Sequence, residues 1–262
     1  MPLMAGVYTT QKKDGSTSYR ASITYQNKHI SLGSFPTEET AHQAYCEAQE
    51  ILYSETSEDF YYQPKHNVLN FTKYVILYNF KETGFYFKTP IILKDNYFLY
   101  YLTPEHVLKF DVDDLFYYST HTISKRGGHL FVSDYGMQVN ILSRYGIKNF
   151  AVLDRDFRFI NGDTTDFRYK NIEVINKYYG VKRFLKNGLF LYESVIHING
   201  NFKIGTYQTE VEAAIAYNKA VDIIQKKGIR KNFMTNFVTE VDEIGYASLY
   251  NKLRISKKIR EL

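Results

Sequence analysis

The sequence has one cysteine, no tryptophan and no long apolar run. A single cysteine, Cys46, excludes an internal disulfide framework and a multi-cysteine zinc site. It falls in a helical pattern of small residues, which predicts a buried position. No apolar stretch approaches the roughly 18 residues that span a bilayer, so we expect no membrane partner. Residues Met1–Met4 lack the basic-then-apolar pattern of a signal peptide, which predicts a cytoplasmic (nucleoid-associated) or nuclear protein.

The chain is instead rich in tyrosine and phenylalanine, with 25 and 19 of them among 262 residues. Hydrophobic residues make up 44% and charged residues 23%, which is typical of a globular protein. The length allows two or three compact units. The net charge of +5 favours a polyanionic partner.

An internal repeat organises the chain. Gly6-Val7 recurs as Gly180-Val181, and the residues downstream match in the same order. The alignment pairs Ser22 with Ser194, Ile23 with Val195, Asn27 with Asn199, Leu32–Phe35 with Ile204–Tyr207, Thr37-Glu38 with Thr209-Glu210, Ala41 with Ala213, Ala44-Tyr45 with Ala216-Tyr217, and Ala48 with Ala220. So many ordered matches predict two copies of one small module, one near each end.

Each copy has the pattern of three strands followed by one helix. Tight turns are predicted at Gln26–Lys28 and at Asn199–Asn201, with Gly200 suited to positive φ. Thr37 and Thr209 are each followed by acidic residues, which is typical of a helix start. The alanines of each helix fall on one face, so the helix is expected to lie close against the sheet. The opposite face of the sheet is left open for a partner.

The repeat resembles the Apetala/ethylene-response-factor DNA-binding domain. The segments that carry the resemblance are Ile-Ser-Leu-Gly-Ser-Phe with Thr-Glu-Glu-Thr-Ala-His-Gln-Ala-Tyr, and Phe-Lys-Ile-Gly-Thr-Tyr with Thr-Glu-Val-Glu-Ala-Ala-Ile-Ala-Tyr. The similarity covers roughly Gly6–Tyr53 and Gly180–Lys227. In that family a three-stranded sheet enters the major groove of double-stranded DNA, and its strand side chains meet bases and phosphates. The family often has Arg and Trp at these positions, where this chain has other residues.

The resemblance implies a set of DNA-contacting residues in each copy. In the first copy these are Tyr8, Thr10, Lys12, Ser22, Thr24, His29 and Ser31; in the second they are Lys182, Phe184, Lys186, Ser194, Ile196, Asn201 and Lys203. Nearby cations that are expected to meet phosphates are Lys12, Lys13, Arg20, Lys28, Lys182, Arg183 and Lys186. A solvated polar face is the alternative interpretation of the same residues.

The segment Arg158–Ile172 resembles the HNH endonuclease module of homing enzymes, which often accompanies Apetala-type domains. The Asn161-Gly162-Asp163 turn, Asp166, Arg168 and Asn171-Ile172 stand at the family's spacing. The positions of the general-base histidine, a metal ligand and the loop asparagine are occupied by Phe159, Arg158 and Phe167. Asn171 alone remains at a ligand position.

Phenylalanine can neither accept a proton nor bind a metal, so the segment lacks carriers for general-base and metal-assisted chemistry. We therefore predict no catalytic residue, no metal, no cofactor and no cleavage of DNA with a divalent cation. His121 and His129 lie upstream and are the residues that could be recruited instead. Arg158 would hold a phosphate in what was a cleavage cleft.

The predicted fold class is α+β. Two modules of a three-stranded antiparallel sheet plus one helix flank a central ββα-metal (HNH-like) domain, with a helix at the C-terminus. The predicted boundaries are 1–54 for the first module, 55–96 for an aromatic-rich connection, 97–177 for the HNH-like domain, 178–237 for the second module and 238–262 for a basic helix. This last helix would lie on phosphates, pack on the second module or present a solvated basic face.

The leading hypothesis is a sequence-selective DNA-binding protein, a transcriptional regulator derived from a homing-endonuclease-like ancestor of a mobile element or phage. Two alternatives stay open: an active HNH-type nicking or homing endonuclease with a drifted motif, and a protein-interaction module. The oligomeric state does not follow from the sequence.

Overall fold

A computed structural model describes residues 3–11, 13–54 and 68–261. The protein is α+β, with several small three-stranded antiparallel sheets and a helix near its C-terminus. It divides into two compact units, one formed by Met1–Val139 with Asp163–Tyr169 and the other by Asn140–Gly162 with Lys170–Leu262. The predicted central region, 97–177, contributes residues to both units. None of the described helices is both long and apolar enough to cross a membrane.

The first unit contains three sheets and three helices among its described residues. These are β1 (Val7–Gln11), β2 (Thr17–Tyr25), β3 (Lys28–Phe35), α1 (Glu38–Tyr53), α2 (Phe71–Thr83), β4 (Ile91–Leu93), β5 (Tyr97–Thr103), β6 (His106–Asp111), α3 (Leu115–Tyr118), β7 (Ile123–Arg126), β8 (His129–Asp134) and β9 (Met137–Asn140). Strands β1–β3, β4–β6 and β7–β9 form the three sheets in chain order.

The first predicted module is formed by β1–β3 and α1. The helix begins where expected, because the Thr37 hydroxyl accepts a hydrogen bond from the Thr40 amide at 3.2 Å. Ala41, Ala44 and Ala48 are fully buried against the sheet. Their small side chains let the helix lie close to the strands, so the alanine pattern is confirmed. Cys46 lies on the opposite side of α1 and is exposed, which makes its predicted burial wrong.

The core of the rest of the first unit includes a cluster of aromatic side chains. Residues 55–67 of the predicted connection lie outside the described residues, and its remainder forms α2, β4 and the turn before β5. Phe98, Phe110 and Tyr118 are buried together, and the ring of Phe167 stacks on Phe110 with centroids 5.4 Å apart. Phe167 is therefore a core residue of this unit.

The second unit contains β10 (Phe157–Phe159), β11 (Ile172–Val174), β12 (Val181–Lys186), β13 (Leu189–His197), β14 (Asn201–Tyr207), α4 (Glu210–Lys226), α5 (Glu243–Lys252) and α6 (Lys257–Arg260). Strands β10 and β11 pair with each other, and β12–β14 form a three-stranded antiparallel sheet. Helix α4 starts with a capping box, in which Thr209 and Glu212 satisfy each other's backbone amides. This is the second predicted module.

The C-terminal segment forms two short helices, α5 and α6, rather than the single predicted one. Ile255 and Ile259 are buried in the core of the second module, and the Ser256 amide donates to the Ile204 carbonyl at 2.8 Å. Burial raises the pKa of Tyr207 to about 12, which keeps its hydroxyl a donor to the Arg254 carbonyl. Among the three predicted placements, packing on the second module is therefore the one observed.

The two modules correspond residue by residue with a slip in the middle strand. Val7 pairs with Ala21, whereas Val181 pairs with Ser194. Gly6 accepts a hydrogen bond from the Ser22 amide, and Gly180 accepts one from the Val195 amide. The residue of the second module that is structurally equivalent to Ser22 is thus Val195. The sequence alignment, which matched Ser22 with Ser194 and Ile23 with Val195, is therefore wrong by one residue in this strand. Such a slip moves every side chain of a strand to the other face.

The slip is absorbed in the turn after the middle strand. Four residues separate the paired Thr24 and His29 in the first module, whereas three separate His197 and Asn201 in the second. Positive φ occurs at Gln26 and Asn27 in the first turn, while Gly200 does not have it, against expectation. The two turns therefore differ in type as well as in length.

Candidate nucleic-acid interface

The sheet face of the second module that points away from α4 carries three lysines. Lys182 pairs with Glu193, and Lys203 pairs with Val195. Glu193 and Val195 are two residues apart on β13 and therefore lie on the same face of the sheet, so Lys182 and Lys203 lie on that face as well. Lys182, Lys186, Lys203 and Asn201 are exposed there, and Phe184 is half-buried. We call this surface the second open face. Because its lysines stand on strands, the sheet fixes the positions of their Cα atoms, and such an array of positive charges suits an extended anionic partner.

One carboxylate interrupts this positive surface. The Glu193 Oε1 atom lies 2.7 Å from Lys203 Nζ, and the pair is partly solvent-exposed. In the first module the equivalent position is occupied by Arg20, because Arg20 and Glu193 each precede the residue that pairs with the valine of the first strand. The sequence alignment missed Glu193 as a face residue because it was out by one position in this strand.

We expect the substitution Glu193→Gln to tighten binding of an anionic partner. It removes a negative charge from the second open face and releases Lys203, and exposed pairs of this kind are worth about 0.2–1 kcal/mol. The gain in affinity should be roughly twofold to fivefold. Fluorescence anisotropy with a labelled DNA duplex measures it, and Glu243→Gln on α5 is the matched control for net charge. An affinity no higher than that of the control would contradict the assignment of this face.

The corresponding face of the first module is polar and carries fewer described cations. Tyr8, Arg20, Thr24, His29 and Ser31 are exposed on it, and the Thr24 hydroxyl lies 3.5 Å from His29 Nδ1. We call this surface the first open face. Thr10 is half-buried and its hydroxyl donates to the Ser18 carbonyl at 3.3 Å, so it is partly occupied. Lys12 lies outside the described residues.

Ser22 is brought beside these residues but is not exposed. Its side chain is 8% exposed, and its hydroxyl has no hydrogen-bond partner among the described residues. It lies in a recess of about 280 Å³ whose other walls are Gly6, Tyr8, Ile23, Thr24, His29, Tyr45, Gln49 and Tyr53. The prediction of Ser22 as a surface contact is therefore wrong, because its side chain is almost wholly buried in this recess.

Three predicted contacts of the second module fall on the wrong side of the sheet. Ser194 and Ile196 are fully buried toward α4. Arg183 also points to that side, where it lies 3.7 Å from Glu173 and over the ring of Phe190. The one-residue slip explains Ser194, since the sequence alignment transferred the position of Ser22 to it. Arg183 follows from strand alternation, because it stands between Lys182 and Phe184.

The HNH-like segment, 158–172, contributes residues to both units, and the predicted HNH-like domain is not confirmed. Its strands β10 and β11 pair with each other, but no helix follows β11 before β12. Residues 175–180, all of them described, lead directly into β12. Arg158 donates to Glu173 at 2.8 and 2.7 Å, so its guanidinium already has a carboxylate partner. Asn171 accepts from the Asn161 amide through its side chain and from the Ile160 amide through its carbonyl. Asn171 thus closes the loop.

Within the described parts of the chain, no three His, Cys, Asp or Glu side chains are grouped closely enough to hold a metal ion. His121, the candidate for recruitment, belongs to the first unit. Its Nδ1 is 2.9 Å from the Tyr117 carbonyl, its ring stacks on that of Tyr117, and its Nε2 lies 3.7 Å from Asp134. These contacts hold the ring against α3 and β8.

The sequence alignment also missed the tip of the hairpin between β12 and β13. Leu185, Leu189 and Phe190 are exposed there by 63%, 69% and 56%. The dipeptide Asn187-Gly188 between alternating residues is a strong hairpin signal and could have located this tip.

Comparisons of the chain with protein families, with curated proteins and with solved structures give no match.

Proposed function

We propose that the protein binds double-stranded DNA in a sequence-selective way through its two open faces and acts as a non-catalytic transcriptional regulator. The observation that carries the proposal is the second open face, where Lys182, Lys186 and Lys203 stand on a sheet whose other side packs against α4. The side chains of this face do not contribute to the core of the module, and their positive charge suits a polyanion.

A narrow sheet can recognise bases in the major groove, because the groove is wide enough for a β-ribbon. Each base pair displays there a distinct pattern of hydrogen-bond donors and acceptors. Lys182 and Lys186 would meet phosphates and set the position of the module. Lys203 and Asn201 stand on the last strand, where lysine can recognise guanine and asparagine can recognise adenine. The first open face would add contacts from Arg20, Thr24, His29 and Ser31.

The absence of catalysis belongs to the same proposal. Three observations support it: Phe159 at the general-base position, Phe167 buried in a core, and Asn171 engaged in closing its loop. Descent from an HNH-type homing endonuclease is part of the proposal and rests on the residue pattern of 158–172. Arg158 would contribute a phosphate contact after exchanging Glu173 for the phosphate.

Selection of bound duplexes from a random pool by the full chain tests the proposal. We expect enrichment of a site with two separated parts, since two tethered modules raise each other's effective concentration on one duplex. The same duplexes incubated with magnesium or manganese should stay uncut. Binding without any enriched sequence would contradict sequence selectivity, and metal-dependent cutting would contradict the non-catalytic part.

We predict that Lys186→Ala weakens binding to all duplexes by a similar factor. A lysine that meets a phosphate releases about one counterion, so its loss should lower the salt slope by roughly one unit. Titrations at several salt concentrations measure this slope. Lys226→Ala, at the exposed end of α4, removes the same charge away from the open face and is the control. Equal slopes for the two variants would argue against a phosphate contact at Lys186.

A further inference from the structure

The hairpin formed by β12 and β13 ends in a rigid, solvent-exposed tip. Lys186 pairs with Leu189 across a two-residue turn, in which Asn187 and Gly188 both have positive φ, at 52° and 79°. This is the turn type whose twist matches that of the two strands, and asparagine followed by glycine adopts it at little cost. The tip is therefore held in a fixed orientation.

The tip is apolar on both of its faces. Leu185 and Phe190 form a cross-strand pair on one side, and Leu189 points to the other side next to Lys186. Each of the three is more than half exposed. A surface meant to lie flat against a partner needs apolar residues on one face only. Apolar side chains on both faces suit a tip that is inserted between two layers.

The first module provides an internal comparison. Counting from the paired residues Val7–Ala21 and Val181–Ser194, the equivalents of Leu185, Leu189 and Phe190 are Gln11, Ser16 and Thr17. The same module therefore occurs in this chain with a polar tip. The apolar tip is not required by the fold and is a specific property of the second copy.

The charge around the tip indicates what it meets. Residues 182–190 contain three cations, Lys182, Arg183 and Lys186, and no acidic residue. The Arg183 guanidinium lies 4.8 Å from the ring centroid of Phe190, so a cation–π contact also holds the ring of Phe190 at the tip. A positive stem with an apolar end is complementary to a base stack that lies between two anionic backbones.

We infer that this tip, formed by Leu185, Leu189 and Phe190, is a wedge that enters the base stack and bends the duplex. The inference rests on the DNA binding proposed above and adds a mechanical role to one hairpin. Proteins that insert apolar side chains at a base step unstack it and kink the duplex by roughly 20–90°. The cost of unstacking makes the wedge selective for flexible steps such as TA and CA.

The test uses the full chain and a duplex selected by it from a random pool, labelled with a fluorescent donor and acceptor at its two ends. The variant Leu185→Gln, Leu189→Ser, Phe190→Thr gives the second hairpin the residues of the first. Ile244→Ser, which removes an 80% exposed apolar side chain from α5, is the control. Because all three replaced side chains are exposed, the variant should unfold at nearly the same temperature as the parent chain.

We expect energy transfer to rise when the parent chain or the control binds, and to stay at the free-duplex value when the triple variant binds. A 2-aminopurine placed at the bent step should brighten with the parent chain and with the control, but not with the triple variant. A parent chain that binds without bending, or a variant that bends equally, overturns the wedge and leaves the proposed function standing. Failure of the parent chain to bind any duplex overturns both.

A second copy of the protein is the other conceivable occupant of an apolar tip. Sedimentation of the parent chain and the triple variant separates this case. If the parent chain is a dimer that the triple variant abolishes, and DNA bending is unchanged, the tip is a contact between copies and the wedge is overturned.

Discussion

Replacing Ala216 by arginine is expected to unfold the second module. Ala216 is fully buried where α4 packs on β13 and β14. A large side chain there overpacks the interface at a cost of about 1–3 kcal/mol. The buried guanidinium has no carboxylate partner in the apolar cluster around it, and an uncompensated buried charge costs about 3–5 kcal/mol. Together these costs approach the roughly 5–15 kcal/mol by which a whole domain is stable.

Hydrogen exchange measures this effect segment by segment in the full chain. Amides of α4 and β13 should lose their protection in Ala216→Arg, while those of α1 and β2 keep it. Ala247→Arg introduces the same side chain at an exposed position of α5 and should leave the exchange of α4 unchanged. Protection of α4 equal to that of the parent chain would refute the close packing of helix on sheet.

Replacing Gly180 by alanine should destabilise the same module through a contact that the repeat makes twice. A Cβ atom at Gly180 would lie 2.3 Å from a ring carbon of Tyr217 and 2.5 Å from the Val195 carbonyl oxygen. At Gly6 it would lie 2.1 Å from the ring of Tyr45. The backbone cannot move away easily, because each glycine carbonyl accepts a hydrogen bond from β2 or β13. The repeated Gly-Val pair is thus explained by a tyrosine ring that packs on the glycine.

Gly228→Ala separates this contact from backbone strain. Gly180 and Gly228 both have positive φ, at 70° and 88°, so alanine costs about 1–2 kcal/mol at either. A Cβ at Gly228 meets no atom within 4 Å. Denaturant unfolding should therefore find Gly180→Ala less stable than Gly228→Ala by a further 1–3 kcal/mol or so. Equal losses of stability in the two variants would mean that the Tyr217 ring moves away from the added Cβ, and that positive φ alone accounts for glycine at position 180.

Much of the two modules could be predicted from the sequence, since local signals agree with each other there. The Thr37 and Thr209 caps, the alanine faces and the order of three strands and a helix are confirmed by the structure. The register of the middle strand could not be predicted reliably. Ser22, Ser194 and their neighbours are similar enough to align in two ways, and the choice depends on a turn that is one residue shorter in the second module.

The middle of the chain was less predictable because its pattern is that of a loop held by tertiary contacts. The two strands around 158–172 are only three residues each, and what holds them includes the side chain of Asn171 and the pairing of Arg158 with Glu173. The break between α5 and α6 also depends on tertiary contacts, since Lys219 donates to the carbonyls of Tyr250 and Leu253. Local sequence patterns do not predict such tertiary contacts.

The most direct test of the proposed function is the binding of the full chain to a selected duplex at physiological salt, compared with the variant Lys182→Ala, Lys186→Ala, Lys203→Ala. The second open face as the DNA surface predicts a loss of affinity of orders of magnitude and a salt slope lower by about two units, one for each of the phosphate-binding lysines Lys182 and Lys186. Full affinity in the triple variant, with an unchanged salt slope, would contradict the proposal and leave the module to be understood as a surface for protein partners.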